Sequence, residues 1–199
     1  MSHLHFLFLL FFALNFSGKP AQAPAVPEAT VAAVNLPPVR EEDAEFIPWI
    51  DERRLTWEDF MSEPKKHSDA VASTSTSLGI AYQVAGSGLE YKITCNFSKT
   101  KSWGLLKTDY ILAHEQGHFD ITEIYARKLY QELQQYQFNR KSYKKDINEM
   151  YQSIVREKEA MQAAYDGESD HSRNRRMQYE WLEKIDLLLL ETAPYAAYP

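Results

Sequence analysis

At 199 residues the chain allows one domain of ordinary size with a real core. Its 44% apolar and 25% charged residues are those of a soluble globular protein. A formal charge of −6 with no basic stripe argues against nucleic acid, and the single cysteine, Cys95, excludes an internal disulfide.

The chain opens on a run of Leu and Phe from His3 to Phe16, broken by Ser17-Gly-Lys-Pro and followed by Ala21-Gln22-Ala23 as a small-x-small cleavage site. Residues 1–23 therefore read as a secretory signal peptide, although no Lys or Arg precedes the apolar run. The run is too short for a comfortable membrane span, so the expectation is a secreted or periplasmic chain with no stable span after cleavage. Residues 24–44, rich in Ala and Pro, read as a flexible spacer. The folded domain is expected over 45–199.

Phe46-Ile-Pro-Trp-Ile50 and Leu55-Thr-Trp57-Glu-Asp-Phe60 supply apolar anchors. Ala70 to Val84 reads as one extended segment, Gly86-Ser-Gly88 as a turn, and Leu89 to Phe97 as a half-buried strand with period two. Cys95 on that strand is expected to be a small buried hydrophobe. From Thr108 to Gln137 the pattern is helical. A second helix carries Tyr143, Ile147, Met150, Ile154, Met161 and Tyr165 on one stripe and is expected to break at Asp166-Gly167-Glu168-Ser169-Asp170. A third carries Met177, Trp181, Ile185 and Leu188. The fold class is α+β: a small antiparallel hairpin or sheet followed by three helices.

The first of these helices contains His114-Glu115-Gln-Gly-His118, the His-Glu-x-x-His pattern in which two histidines bind zinc and the glutamate serves as base. At about 100° per residue His118 lies about 40° from His114, so both rings project one way. Glu115, about 100° from His114, sits beside such a metal rather than on it, as suits a carboxylate that handles a water molecule. Asp120 and Glu123 lie well over about 100° from the pair, which makes them poor ligands. Asp120 is instead a candidate to orient a group behind the helix. Gly117 costs the helix about 1 kcal/mol relative to Ala and points to a strand or substrate approaching closely there. A catalytic zinc usually has three protein ligands and a water. His171, at the corner between the second and third helices, is the preferred third ligand; Glu168, His67 or no third ligand are the alternatives.

These segments, with Ala72-Ser-Thr-Ser-Thr76, Ser102-Trp103 and Tyr165-Asp-x-Glu-Ser-x-His171, resemble a bacterial family of predicted secreted zinc-dependent proteases, domain of unknown function 922. The likeness runs from about Leu55 to Ile185. It implies a zincin-like domain with zinc on His114 and His118, Glu115 as the catalytic carboxylate, and His171 as a recurrent position. One departure is Ser172, where the family commonly has glycine. The expected function is zinc-dependent hydrolysis of a peptide or protein substrate, with Tyr110, Tyr125 or Tyr165 as candidate oxyanion donors. Rival readings are a non-catalytic zinc-binding or partner-binding envelope protein and an amidase acting on cell-wall peptides. Oligomeric state is left open.

Overall fold

The computed structural model describes residues 45–199 other than 52, 67 and 69. The expected signal peptide, the spacer and His67 lie outside the described residues. The fold is α+β. Strands β1 (Phe46–Pro48), β2 (Ala72–Ser73), β3 (Thr76–Ala85), β4 (Gly88–Ser98) and β5 (Trp103–Gly104) precede helices α1 (Asp109–Gln135), α2 (Tyr143–Ser169) and α3 (Arg175–Glu191).

The sheet has the antiparallel order β1-β4-β3, and β2 pairs separately with β5. The β3–β4 hairpin turns over two residues, Gly86 and Ser87, with Ala85 opposite Gly88. Gly86 takes φ +58, the positive value that a primed hairpin turn requires at its first central position. On β4, Ile93, Cys95 and Phe97 are buried at alternate positions and form one face of the core. The single extended segment expected over Ala70 to Val84 is two strands. Between them Ser75 leaves the β2 pairing, accepts from Ser98 N at 2.8 Å, and donates its own N–H to Ser102 Oγ at 2.9 Å.

Helix α1 starts where Thr108 Oγ1 accepts from Ile111 N at 3.2 Å, with Asp109 complementing the N-terminal dipole. It packs against β3 and β4 and against α2 and α3, which is why sixteen of its residues are buried. Phe119, Ile121, Ile124 and Leu129 supply its share of the core. Near the α2 terminus the break expected over Asp166 to Asp170 does not occur; the helix runs through Gly167 to Ser169. Its last turn is closed by Ser169 Oγ donating to Tyr165 O at 2.6 Å and His171 N donating to Asp166 O at 2.9 Å. The reversal falls instead on Asp170, His171 and Ser172, with φ of 51, 48 and 73. Three consecutive side-chain-bearing residues in the left-handed region are strained, and Ser172 occupies a conformation that glycine adopts freely. The Tyr110 hydroxyl fastens this corner to α1 by donating to Ser172 O at 2.6 Å.

No described helix is long and apolar enough to cross a membrane. Cys95 is buried, and burial followed by the neighbouring Glu123 pushes its thiol well above the usual range. Such a thiol is unreactive.

Candidate metal centre

His114 and Glu115 are almost fully buried on α1, and His118 sits one turn further on. Their rings meet edge to face with centroids 4.9 Å apart. The Tyr165 ring of α2 packs against both, at 4.5 and 5.1 Å. The close approach at Gly117 comes from this helix rather than from a strand or a substrate. A Cβ at Gly117 would stand 2.7 Å from the Tyr165 hydroxyl and 3.0 Å from two ring carbons.

Two glutamines fix the imidazoles. Gln178 Oε1 lies 2.9 Å from His114 Nδ1, and Gln162 Oε1 makes a short contact with His118 Nδ1. Each glutamine is itself pinned through its amide nitrogen. Gln178 Nε2 donates to Tyr110 O at 3.2 Å, and Gln162 Nε2 donates to His118 O at 2.8 Å. Both Oε1 atoms therefore face the rings as acceptors, and both Nδ1 atoms must carry the proton. Each Nε2 is left as the lone-pair side. This is the orienting arrangement that metal-bound histidines use.

Both Nε2 atoms point at one oxygen. Asp166 Oδ1 lies 3.2 Å from His114 Nε2 and 3.1 Å from His118 Nε2. A lone pair and a carboxylate oxygen repel unless a cation lies between them, so this cluster requires protons on the histidines or one metal ion. Among the described residues, His114, His118 and Asp166 bring three potential ligand atoms within 4.8 Å of one another and could hold that ion. Burial disfavours the Asp166 carboxylate, but its hydrogen bonds to the two histidines outweigh this and hold its pKa well below the usual range. Burial likewise opposes charge on His118, and the Asp166 hydrogen bond and charge outweigh it and raise its pKa.

Glu115 Oε2 is buried with no hydrogen-bond partner. It lines the same groove of about 1130 Å³ as His114, His118 and Asp166. One wall of the groove is the segment Val71 to Thr76. A carboxylate on the groove lining with an oxygen that has no hydrogen-bond partner is suited to accept a proton from a molecule bound there.

His171 also lines the groove, with Nδ1 3.4 Å from Asp166 Oδ1 and a side chain 57% exposed. Glu168 points elsewhere and accepts from Trp181 Nε1 at 2.8 Å. Asp120 lies behind the helix, accepting from Trp49 Nε1 and Gln116 Nε2 at 2.8 Å each and from Arg54 at 3.1 Å. Tyr125 is buried outside the groove lining with Lys128 over its ring. The Tyr165 hydroxyl donates to His114 O at 3.3 Å. Burial, followed by the charges of Glu115 and Asp166, pushes that phenol far above its usual range, so it stays protonated.

The sequence reading missed Asp166, Gln162 and Gln178. Asp166 stood where a helix break was expected, and no motif marks an orienting amide. A usable signal was the spacing of Gln162 and Asp166, four apart and therefore on one face of α2.

A family model described as a bacterial protein of unknown function (DUF922) matches residues 54–172. No curated protein and no solved structure matches. The matched segment encloses the hairpin, α1, α2 and the His171 corner. Gln178, which orients His114 from α3, lies beyond it.

Proposed function

We propose that this chain, which belongs to the bacterial family of unknown function DUF922, is an exported zinc-dependent peptidase with a zincin-like active site. The observation that carries this reading is the pair of imidazoles whose Nδ1 atoms are occupied by glutamine carbonyls while both Nε2 atoms converge beside an unpartnered glutamate. His114 and His118 would hold the ion, with a third group from the α2 end, where Asp166 and His171 both reach the site. Zinc bound there would lower the pKa of a water toward 7 and polarise a peptide carbonyl.

The chain's own part is proton handling and positioning. The Glu115 carboxylate takes the proton of the attacking water as the water oxygen bonds to the carbonyl carbon. It then delivers that proton to the amine nitrogen as the C–N bond breaks. The Val71 to Thr76 wall is suited to lie along an extended peptide, since strand-like backbone recognises strand-like ligands. Purified chain loaded with zinc is expected to cleave an unfolded protein substrate, to stop on chelation and to resume on adding zinc. Zinc binding without cleavage of any peptide would instead favour the non-catalytic envelope protein. Against that rival stands Glu115, because a closed structural site has no use for a free carboxylate beside it.

None of the three tyrosines is poised as an oxyanion donor. Tyr110 and Tyr165 spend their hydroxyl protons on backbone carbonyls, and Tyr125 is outside the groove lining. Tyr165→Phe is therefore expected to keep the cleavage rate within about tenfold of the parent, where loss of an oxyanion donor costs about 10²–10³. Steady-state rates on a quenched peptide check this.

A further inference from the structure

We infer that Asp166 is the third protein ligand of the metal, and that His171 acts on Asp166 rather than on the ion; this rests on the zinc reading above. Four observations carry it. Asp166 Oδ1 is the point on which the two Nε2 atoms converge, at 3.2 and 3.1 Å. Ligand atoms about 2.0–2.1 Å from a tetrahedral zinc stand roughly 3.3 Å from one another, a spacing that the two Asp166–imidazole distances already match closely. Among the described residues, the set whose ligand atoms lie within 4.8 Å of one another is His114, His118 and Asp166. His171 is not in that set and meets it at Asp166, with Nδ1 3.4 Å from Asp166 Oδ1.

The backbones differ as well. Asp166 stands on α2 one turn beyond Gln162, which orients His118, so the same rigid helix fixes the carboxylate and one imidazole. His171 projects from the strained corner, mostly exposed. Two imidazoles and one carboxylate form a donor set that zinc accepts and that leaves a fourth position for water. His171 is then a positioning residue beside that carboxylate.

The test is zinc content by elemental analysis and zinc affinity by competition with a chromophoric chelator, on the full chain and three variants, with far-UV circular dichroism to confirm folding. The parent is expected to hold one zinc. Asp166→Asn, which keeps the side-chain shape, is expected to purify without it, and Asp166→His is expected to regain it. His171→Ala should keep one zinc with affinity lowered by roughly 10–100-fold at most, the effect of removing an orienting neighbour. Zinc kept by Asp166→Asn, or lost from His171→Ala, overturns the assignment. A folded parent that binds no zinc overturns the zinc reading itself, a result separable from either variant outcome.

Discussion

Glu115→Gln is expected to lower peptide cleavage by about 10²–10⁴-fold while leaving zinc content and fold intact. The side chain is buried in the groove beside the histidines, and its Oε2 has no partner to lose. Glutamine fills the same volume but cannot accept and return a proton at that position. The group of atoms that could hold the ion does not include Glu115, so metal content should not move. Replacing a buried carboxylate by an amide also removes a desolvation cost, so the melting temperature should hold or rise. Measured together, rate, zinc stoichiometry and melting temperature separate the roles. An unchanged rate would sink the general-base assignment, and lost zinc would make Glu115 a ligand.

Arg127→Met is expected to destabilise the fold by about 3–5 kcal/mol, because it leaves a buried carboxylate without its cation. Arg127 Nε donates to Glu123 Oε1 at 2.8 Å and its Nη1 to Leu189 O at 2.8 Å, with the guanidinium 4.9 Å from the centre of the Trp49 ring. Glu123 Oε2 also accepts from Tyr198 at 2.6 Å. Burial raises the Glu123 pKa, and the Tyr198 and Arg127 contacts pull it back only in part. Without Arg127 it rises further. A carboxyl whose folded pKa exceeds its unfolded value binds its proton more tightly when folded. Its burden on stability is therefore full above the folded pKa and fades as pH falls through it. Urea denaturation should accordingly show a larger gap between variant and parent at pH 8 than at pH 5. An equal gap at both values would place the loss in packing rather than in the Glu123 charge. Nine residues separate Glu123 from His114, about half a turn apart around the helix, so the folded fraction of the variant should keep its metal.

The hairpin was legible because Ile93, Cys95 and Phe97 alternate with polar neighbours and Gly86 marks the turn. Three helices were legible from their apolar stripes. β1 and β5 were not, because three and two residues carry no measurable period and owe their strand form to partners thirty or more residues away. At the site, the histidines and Glu115 share one helix, so angular spacing alone could group them. Asp166 could not be grouped that way. Its place beside them depends on how α2 crosses α1, which is set by Tyr165 seated against Gly117. Glu168, the alternative ligand read from the sequence, lies two residues further along a continuing helix, about 200° of rotation away, and faces Trp181 instead.

The choice of glutamine rather than a carboxylate behind each histidine has a consequence for acid tolerance. Gln162 and Gln178 are amides and do not titrate, so the orientation and tautomer they impose on the imidazoles are the same in acidic and alkaline surroundings. They also add no negative charge to the centre, so the charge of any cation held there is met by the Asp166 carboxylate and the neighbouring Glu115. A chain exposed to uncontrolled external pH would thus keep its imidazole frame while only the frame's occupant responds to protons.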